Sequence, residues 1–271
     1  MNESSSLPAH AVALPQGDGA DGAQPAVAPS GAIRPELFRL NELRRFLIYC
    51  RDNFPVLPLR AINDQPALFL RHDIDLDLEP ALQLARFESE CGVSSTFFVQ
   101  LTALTYNALT EENRARIREI HRLGFEIGLH FDCAVHRDDR AEVAMMREAE
   151  MLADIVGEPI RSVSLHAPSV TGKYPLFQQM LNAYDPAIFG PGIYLSDSCM
   201  RFRHDPWAFV EQARHRVVQL LLHPLHFTAD GDDYSKIFVR HHARVLQAVD
   251  KLWRINEGYR ANVLAPQATD P

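Results

Sequence analysis

The stretch Ala67-Leu68-Phe69-Leu70-Arg71-His72-Asp73-Ile74-Asp75 sets an apolar run directly against a pair of carboxylates. Residues 67–71 read as a strand. If the strand continues, alternation points Asp73 and Asp75 to the same side. Two carboxylates held close repel each other unless a cation or a shared proton compensates. A divalent metal on one of them resolves the conflict and leaves the other free as a general base toward water. Taken alone, the pair also fits a solvated acidic loop, because Asp77 and Glu79 follow.

The same arrangement recurs along the chain. The apolar run 125–129 leads into His130-Phe131-Asp132, and 161–165 into His166-Ala167-Pro168. A short strand over 192–195 leads into Ser196-Asp197-Ser198, and 217–222 into His223-Pro224-Leu225-His226. Between these runs lie helical patterns. One covers 79–91 before Gly92; another is capped by Thr110, with Ile117, Ile120 and Leu123 on one face; a third carries Met145, Ala149, Leu152 and Val156 and stops at Gly157. Helices are also expected over 173–184 and, to close the chain, over about 236–256. Strand–helix alternation implies a parallel sheet with right-handed crossovers. A barrel and an open doubly wound sheet both fit. In either, the C-terminal strand ends share one face, and sites form there.

Each strand-end histidine alone is more often a packed residue than a ligand. Together with the Asp pair, His130, His166 and His223 suit a site of N and O donors for zinc or a similar ion. His121, His241 and His242 fall on expected helices and read as solvated.

Composition narrows the partners. The 271 residues carry a formal net charge of −8 without a basic stripe, which disfavours nucleic acid but permits a neutral sugar or a small metabolite. The four cysteines are widely spaced and form no CxxC pair, consistent with reduced thiols. No membrane span is expected, and no secretory leader precedes the domain, so a cytoplasmic location is expected. Residues 1–31, rich in Ala, Pro, Gly and Ser, read as a disordered tail, 33–263 as a single domain and 264–271 as a second tail.

In this order, RHDID (71–75), STFFV (95–99), GFEIGLHFD (124–132), SLHAPS (164–169), YLSDS (194–198) and LLLHP (220–224) resemble the polysaccharide deacetylase superfamily, also called NodB-homology or carbohydrate esterase family four. The resemblance implies a distorted (β/α) barrel, a divalent metal (zinc foremost, with Co, Ni or Mn also suited) and hydrolysis of an acyl group from an N-acyl sugar or related amide. By motif, Asp73 would be the base, Asp75 and His130 metal ligands, and His223 the acid toward the leaving group. Asp197 and Pro168 would be substrate-facing groups, Asp197 alternatively a supporting one.

Two departures stand out. The family's second histidine, four residues after the first, is here Ala134. The third ligand is then His166, with His136 as the alternative. The third motif has His166 where an arginine is usual. The pattern is that of a divergent branch, of the kind found in surface-polysaccharide biosynthesis. The missing histidine also admits a catalytically inactive barrel that binds a carbohydrate or a protein, and a third reading is hydrolysis of a non-sugar amide.

Overall fold

The strand that begins at Ala67 runs farther than its apolar core. In the structure, a computed structural model describing residues 35–137 and 140–264, it spans Ala67–Ile74 and is buried along its whole length. The expected tail over 1–31 and nearly all of that over 264–271 lie outside the described residues. In chain order the elements are α1 (Leu40–Asn53), β1 (Val56–Leu57), β2 (Ala67–Ile74), α2 (Leu78–Cys91), β3 (Thr96–Val99), α3 (Glu111–Arg122), β4 (Glu126–Phe131), α4 (Ala141–Val156) and β5 (Ser162–Leu165). There follow α5 (Pro168–Thr171), β6 (Leu181–Asn182), β7 (Tyr194–Ser196), α6 (Pro206–Val210), β8 (Val217–Leu222), α7 (Tyr234–Trp253) and α8 (Glu257–Tyr259).

All strands pair in parallel, in the order β6-β5-β4-β3-β2-β8-β7, with β1 added to β2. The last long strand therefore lies beside the central one, and His72 is level with Leu222. Gln219 on β8 donates to the carbonyls of Ala183 (2.9 Å) and Ile188 (3.1 Å), which follow β6. The segment after one edge strand thus meets the sheet near its other edge. The protein is an α/β fold whose parallel sheet curls into a half-barrel.

Alternation divides β2 between two environments. Leu68, Leu70 and His72 face outward; His72 is fully buried, its Nε2 2.8 Å from Glu88 on α2. Arg71 and Asp73 face the inside with Thr96, Phe98, Glu126, His130, Ser162 and Ser164 of the neighbouring strands. Gly128 on β4 makes room for this layer: a Cβ there would lie 2.4 Å from the Phe98 ring.

Where the sequence names a cap, the cap forms. The Thr110 hydroxyl accepts from Asn113 N at 3.3 Å, and α2 and α4 end at left-handed Gly92 and Gly157. The helix expected over 173–184 does not form. Pro175 lacks an amide and restricts its predecessor, and Asn182 instead ties the turn, bonding to Phe177 and Met180. Leu181 then pairs with the carbonyl of Arg161, making β6. His241, expected in solvent, is 6% exposed and faces Asp77. The cysteines form no disulfide. Among the described residues no helix is long and apolar enough to cross a membrane.

Candidate metal centre

Asp75 lies just past the end of β2, beside the ends of β4, β5 and β8. Its Oδ1 is 2.9 Å from His130 Nε2 and 3.6 Å from His166 Nδ1, and those two nitrogens are 3.3 Å apart. Two ligands of a tetrahedral zinc, each 2.0–2.2 Å from it, stand roughly 3.3–3.6 Å apart. The three donors are therefore already at about the separations that a small cation imposes.

The hydrogen bonds behind them fix which atoms carry lone pairs. Ser164 donates its hydroxyl proton to Asp73 Oδ2 at 3.1 Å. Its oxygen is then the acceptor for His130 Nδ1, 3.0 Å away. A neutral His130 ring protonated at Nδ1 leaves Nε2 bare, aimed at a carboxylate oxygen. Two lone pairs at 2.9 Å repel unless a proton or a cation sits between them. Where a proton fills that gap, burial pushes the Asp75 carboxyl up, but hydrogen bonds from His130 and His166 and the charges of His130 and His223 outweigh it and hold the carboxyl well below the usual range. The His166 ring is raised in turn, first by its bond to Asp75.

Asp73 is 3% exposed and paired with Arg71 at 3.0 Å. Arg71 is itself buried, reaching Gln219 and the hydroxyl of Tyr184. The other carboxylate oxygen of Asp73, Oδ1, has no partner, an unusual state for a buried acceptor. Asp73 lines a cleft with Asp75, Cys199, His223, Tyr234 and Phe238. The donor set, the bare Nε2 and this unpartnered oxygen together fit a divalent ion with a bound water.

His223 stands across Asp75 from the other histidines, its Nε2 3.6 Å from Oδ2. Its Nδ1 lies 2.5 Å from Asp197, which also accepts from the His223 backbone N–H and lies 2.8 Å from His226 Nδ1. Burial opposes a charge on His223, but the Asp197 carboxylate pushes the ring up to about 9. Asp197 is fully buried and is held below the usual carboxylate range by His226 and His223. It sits behind the two histidines, bonded to both, the supporting place that was one of its two expected roles. Pro168 is buried at the first position of α5, after Ala167 in the left-handed region at φ 43°.

A raised folded-state value means that His223 contributes stability that is complete below its ordinary 6.5 and is lost as pH rises through about 9. We expect the unfolding free energy to decline across that window, and the decline to be smaller in Asp197→Asn, where the stabilising charge is gone. Denaturant titrations at several pH values check this. An equal slope in the two proteins would show that Asp197 does not charge the ring.

Of the two candidates for the third donor, the structure brings His166 to the cluster. His136 stacks on Phe131 and lies 2.6 Å from Glu148 of α4. Ala134 is exposed in the turn that Asp132 caps. Sequence reasoning missed Arg71, Ser164 and His226. The first two had a signal, since each lies two residues before a named site residue on its strand, and so on the same face.

No family model matches the chain, and no curated protein does. Solved structures of carbohydrate esterase family 4 proteins and of peptidoglycan deacetylases are similar to this chain at low identity. One is a family pseudoenzyme from Bacillus anthracis, with 13% identity and a TM-score of 0.40 over 69% of this chain and 64% of that one. A peptidoglycan deacetylase from Bdellovibrio bacteriovorus has 13% identity and a TM-score of 0.42 over 71% and 53%. The peptidoglycan deacetylase PdaC from Bacillus subtilis has 15% identity and a TM-score of 0.39 over 73% and 97%. The match spans less than two thirds of the length of the first two.

Proposed function

We propose that this chain is a divergent, metal-dependent hydrolase of the deacetylase type, removing an acyl group from an N-acyl sugar or a related amide. The observation that carries the reading is that Asp73 and His223 line one cleft with Asp75, a member of the Asp75–His130–His166 donor set. A zinc or similar ion held there would polarise the acyl carbonyl and acidify a water. Asp73 would take the proton of the attacking water at its unpartnered Oδ1. Arg71 and Ser164 hold the other oxygen, so the carboxylate cannot turn away. His223, protonated and oriented by Asp197, would give the Nε2 proton to the leaving amine. Such a substrate would be met in the cytoplasm, as a small sugar or a polymer precursor.

Elemental analysis of the purified protein tests the centre. We expect about one divalent ion per chain. His166→Ala and His130→Ala should each weaken binding at least 10–100-fold, since changes to groups merely supporting a ligand cost about that much. His136→Ala should leave affinity unchanged. Metal lost with His136→Ala but kept with His166→Ala would overturn the ligand set. A protein that retains no metal, yet binds carbohydrate, would instead be the inactive binding barrel. Release of acetate from N-acetylated sugars by the loaded enzyme then tests the reaction.

A further inference from the structure

The short contact between Asp75 and His130 crosses a strand. β2 and β4 are not neighbours in the sheet; β3 runs between them. Adjacent strands lie about 4.8 Å apart, so the two side chains meet over β3 from strands roughly twice that distance apart. The register names the residue of β3 at that place. Val99 is level with both Ile74 and Leu129, and the next residues on the three strands are Asp75, Gln100 and His130. Phe97 faces outward against His72, with ring centres 4.5 Å apart, whereas Thr96 and Phe98 face the inside; alternation therefore turns Gln100 inward. Its backbone is pinned there. Gln100 N–H donates to the Tyr106 hydroxyl at 3.0 Å, and that hydroxyl donates to the carbonyl of Ile74 at 2.8 Å. The phenol thus bridges the ladder where β2 and β3 part.

We propose that Gln100 Oε1 is a fourth protein donor to the metal centre, beside Asp75, His130 and His166. The inference rests on the reading of that cluster as a metal site. What points to a ligand is the state of the amide. Gln100 is 4% exposed, and its Oε1 is buried with no hydrogen-bond partner among the described residues. A carbonyl oxygen shut away from water without a donor is costly and rare. A cation satisfies it, and amide oxygens are ordinary ligands of divalent ions. Gln100, like His130, does not line the cleft, which puts its oxygen on the buried side of the centre and not against a substrate. A neutral donor adds no charge to the site. Catalytic zinc centres expand beyond four ligands, so a fourth protein donor still leaves a position for water on the cleft side.

Calorimetric titration of the full chain with zinc, after a chelator has removed bound metal, tests the proposal. Gln100→Met keeps the length of the side chain and removes the oxygen. We expect it to fold, as read by circular dichroism, because it replaces an unsatisfied polar group by an apolar one. It should bind zinc about 10–100-fold more weakly than the wild type. Gln100→Glu keeps an oxygen at the same place and should bind zinc at least as tightly as the wild type. A residue that merely fills space would not separate the two variants in this direction. The visible bands of the cobalt-loaded protein, which follow the donor set, should differ between Gln100→Met and the wild type. Unchanged zinc affinity in a folded Gln100→Met overturns the proposal, and so does weaker binding by Gln100→Glu, which decides alone should Gln100→Met fail to fold. Either result leaves the three-donor centre standing if His130→Ala still loses zinc. A wild type that binds no zinc overturns this inference together with the proposed centre.

Discussion

Asp75→Asn should release the divalent ion, whereas Asp73→Asn should retain it and still lose turnover by roughly 10²–10⁴-fold. The two carboxylates lie two residues apart, at the end of β2 and just past it, and differ in what surrounds them. Asp75 meets three histidines: His130, His166 and His223. Asp73 lines the cleft, meets a guanidinium and a hydroxyl, and keeps one oxygen unpartnered. Asparagine keeps the shape and removes the charge, so each variant isolates one role. The variants differ in a second way. Asp73→Asn leaves the buried Arg71 without its counter-charge, so its melting temperature must be measured first and the assays run well below it. Calorimetric titration with zinc reads the metal half without a substrate; turnover reads the other. Metal lost from Asp73→Asn and kept by Asp75→Asn would reverse the roles.

Arg71→Met should lower the unfolding free energy by about 3–5 kcal/mol, the effect expected when one partner of a buried ion pair is removed. Both groups are almost wholly inside, 1% and 3% exposed. The loss comes from the uncompensated Asp73 carboxylate and from the hydroxyl of Tyr184, which loses the guanidinium as its donor. An exposed pair provides the contrast. Arg86 and Glu119 meet on the helix surface at 53% and 30% exposure, and Arg86→Ala should change stability by no more than about 1 kcal/mol. Urea titrations measure both. Arg71→Met/Asp73→Leu, which replaces the pair by apolar groups, should recover much of the loss. An Arg71→Met protein as stable as the wild type would mean that the barrel interior solvates Asp73 by other means.

Period and punctuation made most of the sheet legible. β2, β3, β4, β5 and β8 each follow an apolar run, and α2, α3 and α4 each end or begin at a cap that the sequence names. α1 carried the same signal in Leu43, Phe46, Leu47 and Cys50, but Arg39 before it offers no side-chain cap, and the helix was not expected. The turn over 173–184 imitates a helix because its apolar residues have helical spacing, and Pro175 is the one local signal against it. In the site, strand ends located the donors. Their division of labour depends on contacts that no local pattern contains. Ser164 and Asp73 are 91 positions apart, and Arg71 and Tyr184 are 113. The burial of Asp197 follows from His226 folding back over it, and spacing alone does not report that.

The strand order carries a consequence for how the protein is made. Asp75, His130 and His166 stand at the C-terminal ends of β2, β4 and β5, which with β3 are neighbours in the sheet. His223 follows β8, which joins β2 only after a closure of about 150 residues, as the bond between His72 and the carbonyl of Leu222 shows. Closing so long a loop is the slow, entropically unfavourable step of such a topology. During synthesis the three candidate donors are all outside the ribosome well before His223, the residue proposed as the acid. An ion could thus be captured early and hold β2, β4 and β5 in register, and the proton donor would arrive only with the closing strand.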